Sequence, residues 1–141
     1  MTPPSSVSVF HLEMDDPSAF RASRACPGLE VAAIDPPDPE LNRRFYCEVG
    51  SPWEWTDRLH WSLDDWRREV VRVELKTFVG RLHGAEVGYF ELALQESGKV
   101  EIAYFGLLPA AIGQGLGGPL LSAAVARAWG LPGTKRIWVH T

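Results

Sequence analysis

Residues 112–121 read Ile-Gly-Gln-Gly-Leu-Gly-Gly-Pro-Leu-Leu. Glycines at this density let a ligand approach the backbone closely and let the chain adopt positive φ. They open into an apolar stretch with helical spacing, so unpaired amide N–H groups and the positive end of the helix dipole would face outward. That arrangement suits an anion such as a pyrophosphate. A plain packing turn ahead of a tightly seated helix is the alternative. A second concentration lies at residues 53–61, where Trp53, Trp55 and Trp61 interleave with Glu54, Asp57 and His60. Aromatic faces beside carboxylates suit a cationic amine, and satellite packing of the rings is the competing explanation.

Two phosphate readings of the glycine run fail on their surroundings. A Walker loop needs Lys and then Ser or Thr after its last glycine, whereas Pro119 and Leu120 follow Gly118. Gly113-x-Gly115-x-x-Gly118 formally matches the dinucleotide fingerprint. That fingerprint opens a βαβ unit with an acidic residue ~20 positions later. Here the stretch is Gly133-Thr134-Lys135-Arg136, and little chain follows for a doubly wound sheet.

The elements that must position these residues follow from periodicity and punctuation. Residues 7–14 read as a strand, 18–26 as a weak helix, Pro27-Gly28 as a turn and 29–34 as a strand. Asp38 N-caps a helix over 39–49 with Pro39 in its first position and Leu41, Phe45 and Val49 along one face. Ser62 and Asp65 form a capping box for a short helix reaching about Val70. Strands follow at 72–80, 85–95 and 99–108, joined by turns at Leu82-His83-Gly84 and at Glu96-Ser97-Gly98. Val87, Tyr89, Glu91 and Ala93 share one side of the middle strand. A helix over 119–129 buries Leu120, Leu121, Ala124, Val125 and Ala128, and a last strand covers 135–140. A strand–helix–strand crossover makes its two strands parallel. The fold class is therefore α/β, with a mixed sheet: an antiparallel meander feeding one parallel crossover.

Composition narrows the function classes. The 141 residues fit one domain over 1–141, with 1–27 as an N-terminal extension. Apolar residues make up 45% and charged residues 23%, an ordinary globular balance. A formal net charge of −4 argues against nucleic acid, which needs a basic face, and is compatible with a cationic substrate. No apolar run approaches the ~20 residues of a membrane span, and no signal-peptide pattern opens the chain. Cys26 and Cys47 lack metal spacing, so no disulfide is expected and a reducing cytoplasm is the expected location. His11, His60, His83 and His140 show no metal spacing either, and no metal is expected.

With the strand order in place, residues 100–118 resemble motif A of the GCN5-related N-acetyltransferase (GNAT) family. The motif is Gln/Arg-x-x-Gly-x-Gly/Ala after the fourth strand; Ile112 takes the first place, and Gly115 and Gly117 the glycine places. The resemblance implies acetyl-CoA as cosubstrate. It implies that pantetheine pairs with the free strand edge at Phe105, Gly106, Leu107 and Leu108. Pyrophosphate would lie on backbone amides of Gly113, Gln114, Gly115, Leu116, Gly117 and Gly118. The departure at Ile112 removes a polar side chain, which Gln114 could replace.

The resemblance also assigns the acid–base chemistry. An ammonium must lose a proton before it attacks a thioester. Glu101 stands fourteen residues before Gly115, the offset at which histone-type members place their general-base glutamate. A solvated strand-start glutamate is the alternative. Glu91 is a second acidic candidate for the acceptor site, and Trp53 and Trp55 are expected to wall it. Tyr104 reads as core. The family continues beyond its fifth strand with a helix and two strands, and that helix often carries a tyrosine that protonates the leaving thiolate. The expectation here is a fold ending at its fifth strand, with no general acid assigned. That strand would have an open edge, inviting a homodimer or other self-association. The implied activity is acetyl transfer from acetyl-CoA to a primary amine of a small-molecule or protein acceptor. A non-catalytic acyl-CoA-binding module is the alternative.

Overall fold

The computed structural model describes residues 11–20, 22, 26–53 and 55–140. Among the described residues, six strands form one sheet in the order β1 (His11–Met14), β6 (Arg136–His140), β5 (Lys99–Leu107), β4 (Ala85–Leu94), β3 (Leu75–Leu82), β2 (Leu29–Ala33). Strands β2, β3, β4 and β5 make the antiparallel meander. From β5 the chain crosses through α3 (Gly117–Trp129) to β6 (Arg136–His140), which pairs parallel to β5. The mixed sheet expected from the sequence is what forms.

Helices cover both faces. α1 (Pro39–Gly50) and α2 (Leu63–Val70) lie on one, where Phe45, Tyr46, Val49, Trp66 and Val70 pack against Leu75, Val79, Tyr89 and Ala93. α3 lies on the other, with Leu120, Ala124, Val125 and Ala128 packed on Phe78, Phe90, Leu92, Val100, Ile102 and Ile137. From Gly88 to Ala93, strand alternation splits β4 between these two cores. A bulge at Val87, between the pairs Gly80–Gly88 and Arg81–Glu86, takes that side chain off the side of Tyr89, Glu91 and Ala93 where it was expected and into a third cluster with Ala111 and Leu116.

The local signals act as read. The Asp38 side chain accepts from the Leu41 amide at 3.3 Å with Pro39 in the first turn. Ser62 and Asp65 make both bonds of the capping box, at 2.9 and 3.2 Å. His83 and Gly84 both take positive φ, +51° and +86°, the requirement of a two-residue turn matched to strand twist.

Four expectations are corrected. Leu121 is 38% exposed, because residues 120, 124 and 128 repeat at four-residue spacing and 121 lies about 100° around the helix from 120. The third strand starts at Leu75 rather than 72. In place of a helix over 18–26 there is a 3-10 turn at Pro17–Ala19 capped by Asp16, and Phe20 is already extended; residues 21 and 23–25 lie outside the described residues. The expected strand over 7–14 is present as β1 (His11–Met14), with residues 7–10 outside the description.

The last correction concerns the sheet edge. β1 pairs antiparallel with β6 over the four residues from His11 opposite His140 to Met14 opposite Ile137. The edge of the final strand that was expected to stand open is thus occupied, and the proposed association through it loses its motive.

Candidate active site: a forked strand edge, a glycine loop and an aromatic wall

β5 and β6 pair only from Lys99–Arg136 to Glu101–Trp138, yet β5 continues to Leu107. Beyond Glu101 the two strands part, and among the described residues the outer edge of β5 has no strand partner. The backbone alternation fixes which groups face that gap. The Leu108 amide donates to the Val87 carbonyl at 2.8 Å. Alternate positions Gly106 and Tyr104 therefore also turn toward β4, while Phe105 and Leu107 present their N–H and C=O to the fork. Of the four residues expected at this edge, Phe105 and Leu107 hold the exposed backbone groups. Gly106 instead admits α1, since a Cβ there would collide with Val49.

A bulge shapes the same strand. Glu91 faces Tyr104 and Leu92 faces Ile102, so Ala103 is an extra residue in β5. An inserted residue bends its strand and switches the alternation. As a result Glu101 and Tyr104, three apart in sequence, point to the same side of the sheet, the side covered by α1 and α2.

The glycine loop follows β5. Gly113 and Gly115 take φ of +86° and +74°, and a Cβ added at Gly113, Gly115 or Gly117 would meet nothing within 4 Å. These glycines border open space, so packing does not explain them. α3 begins at Gly117, two residues earlier than expected, and its N-cap Leu116 supplies no side-chain cap. The Gly117 and Gly118 amides have no intrahelical acceptor, and Pro119 has no N–H. The Leu116 side chain is buried, so only its backbone can serve a ligand. Gln114 donates its side-chain amide to the Ala110 carbonyl at 2.9 Å and so braces the loop. Ile112 is exposed. The open cradle, the bare helix start and the free strand edge fit the pyrophosphate and pantetheine of an acyl-CoA.

A cleft of about 1660 Å3 opens at the fork and brings together Trp53, Trp55, Glu101 and Phe105 with Asp57, Arg58 and Tyr104. Residues 113–118 do not line it; they lie past the end of β5. Glu101 is half-buried on β5 and accepts from Gln95 Nε2 at 3.2 Å, while Gln95 accepts from Trp138 Nε1 at 2.8 Å. Trp53 is 65% exposed at the mouth. Trp55 is partly core, with Tyr46 and Tyr104 ring centroids 5.5 and 5.2 Å away.

Glu91 does not reach the cleft. It is fully buried beneath the wall and takes two 3.0 Å bonds from Arg58 and one of 2.9 Å from Asn42. Burial pushes its carboxyl up, opposed by Arg58 and Asn42. Arg58 stays charged, its guanidinium lying 4.1 Å from the Tyr104 ring centroid and 4.7 Å from that of Trp61. Its backbone amide also donates to the Tyr46 hydroxyl at 2.9 Å. Tyr104 is more than a core residue. Half-buried, it turns its hydroxyl to Asp57 Oδ2 at 3.2 Å, and burial raises its pKa well above that of a free phenol, so it stays a donor. Neither Arg58 nor Asn42 was expected from the sequence. The available signal was Glu91 itself, a carboxylate on the buried side of an apolar strand that demands a cation.

A sheet that forks between its parallel strands beside a glycine-rich helix start is the acyl-CoA N-acyltransferase type of fold. The chain belongs to the acetyltransferase (GNAT) family, whose model matches residues 39–141. Solved structures with this fold include a GCN5-related N-acetyltransferase from Kribbella flavida, 18% identical with a TM-score of 0.67. The match covers 93% of this chain but 47% of that one, so the chain spans about half its length. An aminoglycoside acetyltransferase from an uncultured soil metagenomic sample, in complex with sisomicin, is 14% identical with a TM-score of 0.65, covering 79% of this chain and 76% of that one. A GNAT family acetyltransferase from Brucella melitensis in complex with acetyl-CoA is 19% identical with a TM-score of 0.57, covering 74% and 71%. Comparison with curated protein sequences gave no match. No helix among the described residues is long and apolar enough to cross a membrane, and none of their His, Cys, Asp and Glu side chains cluster as a metal site.

Proposed function

We propose that this protein transfers an acetyl group from acetyl-CoA to a primary amine. The observation that carries the reading is the fork, where pairing of β5 with β6 stops at Glu101 while β5 runs on to Leu107. The complexes of its structural relatives with acetyl-CoA and with an aminoglycoside support it. Acetyl-CoA, when bound, supplies the acetyl thioester. The amides of residues 113–118 and the α3 dipole hold the pyrophosphate. Phe105 and Leu107 pair with the pantetheine arm through their backbone. Glu101 takes the proton that the acceptor ammonium must lose, and its Gln95 contact, itself tied to Trp138, fixes the carboxylate in the cleft. Two free cysteines fit a reducing compartment, and we place the protein in the cytoplasm.

Glu101→Gln tests the reading. Turnover of an amine panel at neutral pH is expected to fall about a hundredfold or more, with CoA affinity unchanged. The loss should shrink as pH rises toward the amine's own pKa, because free amine then needs no base. Full activity of the variant at pH 7 would remove Glu101 from the mechanism. Binding of acetyl-CoA with no transfer to any amine by the wild type would instead favour the non-catalytic module.

A further inference from the structure

The acceptor wall contains a relay of contacts that acetyl transfer as described does not require. Fully buried Glu91 grips Arg58, which is 5% exposed, through two 3.0 Å bonds. The Arg58 guanidinium lies against the Tyr104 ring, and the Tyr104 hydroxyl donates to Asp57 at the cleft surface. Asn42 holds the far side of Glu91 and donates to Thr77 at 2.8 Å. A buried ion pair adds little net stability compared with apolar residues of the same volume. What this one supplies is geometry: it fixes Tyr104, and Tyr104 aims the Asp57 carboxylate into the cleft.

The charge around Asp57 is not neutralised by that arrangement. The two guanidiniums at the cleft are already engaged, Arg58 by Glu91 with Glu69 at 3.8 Å, and Arg72 by Glu69 at 3.3 Å. Asp57 has a neutral phenol for its described partner, and Trp53 and Trp55 line the same cleft. A carboxylate held by a phenol in a cleft lined by indoles is the chemistry that holds an ammonium.

We propose that Asp57, aimed by Tyr104, Arg58 and Glu91, binds a second ammonium of the acceptor, remote from the amine at Glu101. The site therefore selects diamines and polyamines over monoamines. This rests on the acetyltransferase reading given above. Asp57 is the specificity residue; Arg58 and Glu91 are positioning residues that act through Tyr104.

The test compares acetylation of spermidine and of n-butylamine by the full chain. Wild type is expected to favour spermidine in kcat/KM by about ten- to hundredfold, the worth of one charge-assisted contact. Asp57 is exposed, so Asp57→Asn folds normally. It should raise the KM for spermidine and erase most of the preference, leaving kcat and CoA affinity unchanged. The double variant Arg58→Met/Glu91→Met, which replaces the pair with apolar volume, should fold and yet lose the preference through KM. Asp57→Glu should restore part of it. A wild type without preference, or an Asp57→Asn variant that keeps it, overturns the proposal. A spermidine titration followed by tryptophan fluorescence reads the same site without turnover. Binding weakened about tenfold by Asp57→Asn supports the anchor even where no acetyl transfer occurs. Absent or unaltered binding overturns it.

Discussion

Replacing Arg58 with methionine is expected to cost about 3–5 kcal/mol of folding stability, because it strands a carboxylate inside the protein. Glu91 has no exposed surface, and after the change only Asn42 still donates to it. The substitution also removes the cation packed between Tyr104, Trp61 and Trp66. For a domain of this size the loss corresponds to a fall in Tm of about 10 °C or more. Its pH dependence identifies the cause. Burial already raises the folded Glu91 carboxyl above its usual value of 4.5, and Arg58 is the main group opposing that rise. Without Arg58 the folded value climbs further, so the fold binds a proton that the unfolded chain gives up. A raised folded pKa contributes stability below the unfolded pKa and loses it as pH rises through the folded one. The deficit relative to wild type should therefore be smallest near pH 4.5 and widen toward pH 8. Adding Glu91→Gln to the variant should flatten that dependence. Urea melts at several pH values measure both effects. An equal deficit at all pH values would mean that lost packing, and not a stranded charge, is responsible.

The sequence revealed most where a physical demand is local. Caps at Asp38 and Ser62, the turn at His83-Gly84 and the buried α3 stripe of Leu120, Ala124, Val125 and Ala128 involve neighbours a few residues apart, and these formed, Leu121 excepted. Elements fixed by distant partners were hidden. No local signal shows that His11 to Met14 reach across to β6, since register between remote strands is decided by tertiary packing. The bulge at Ala103 is likewise silent in the sequence. Strict alternation places Glu101 and Tyr104 on opposite faces, and one inserted residue brings both to the side covered by α1 and α2. Glu91 illustrates the reverse case. Its side of β4, shared with Tyr89 and Ala93, was legible, but its burial and its role were not, because its partner Arg58 lies thirty-three residues away in an aromatic segment without periodicity. Glycine density ahead of a helical stretch pointed to the loop, and resemblance singled out Glu101. The wall had to come from the structure.

Replacing Gly115 with valine is expected to abolish measurable CoA binding at micromolar concentrations while leaving the fold intact. Two effects coincide at this position. The residue holds φ at +74°, a conformation that costs an ordinary L-residue about 1–2 kcal/mol and a β-branched one more. Apart from its own chain neighbours, no atom of the described residues lies within 4 Å of an added Cβ, so the new methyl groups enter the open space of the loop. Strain and blockage can be separated by two other substitutions. Gly84 also has positive φ, +86°, and no neighbour within 4 Å of an added Cβ, but it lies in the β3–β4 turn. Gly84→Val should carry similar backbone strain, lower Tm modestly and bind CoA like wild type. Gly117 has no positive φ, yet its Cβ position is equally open. Gly117→Ala should therefore fold without strain and still weaken CoA by about tenfold, since its methyl would enter the open space in which we propose the phosphate lies. Calorimetric titration of CoA into the three purified variants distinguishes the outcomes. Wild-type affinity in folded Gly115→Val would place the pyrophosphate elsewhere. Wild-type affinity in Gly117→Ala alone would confine the contact to residues 113–116, ahead of the helix.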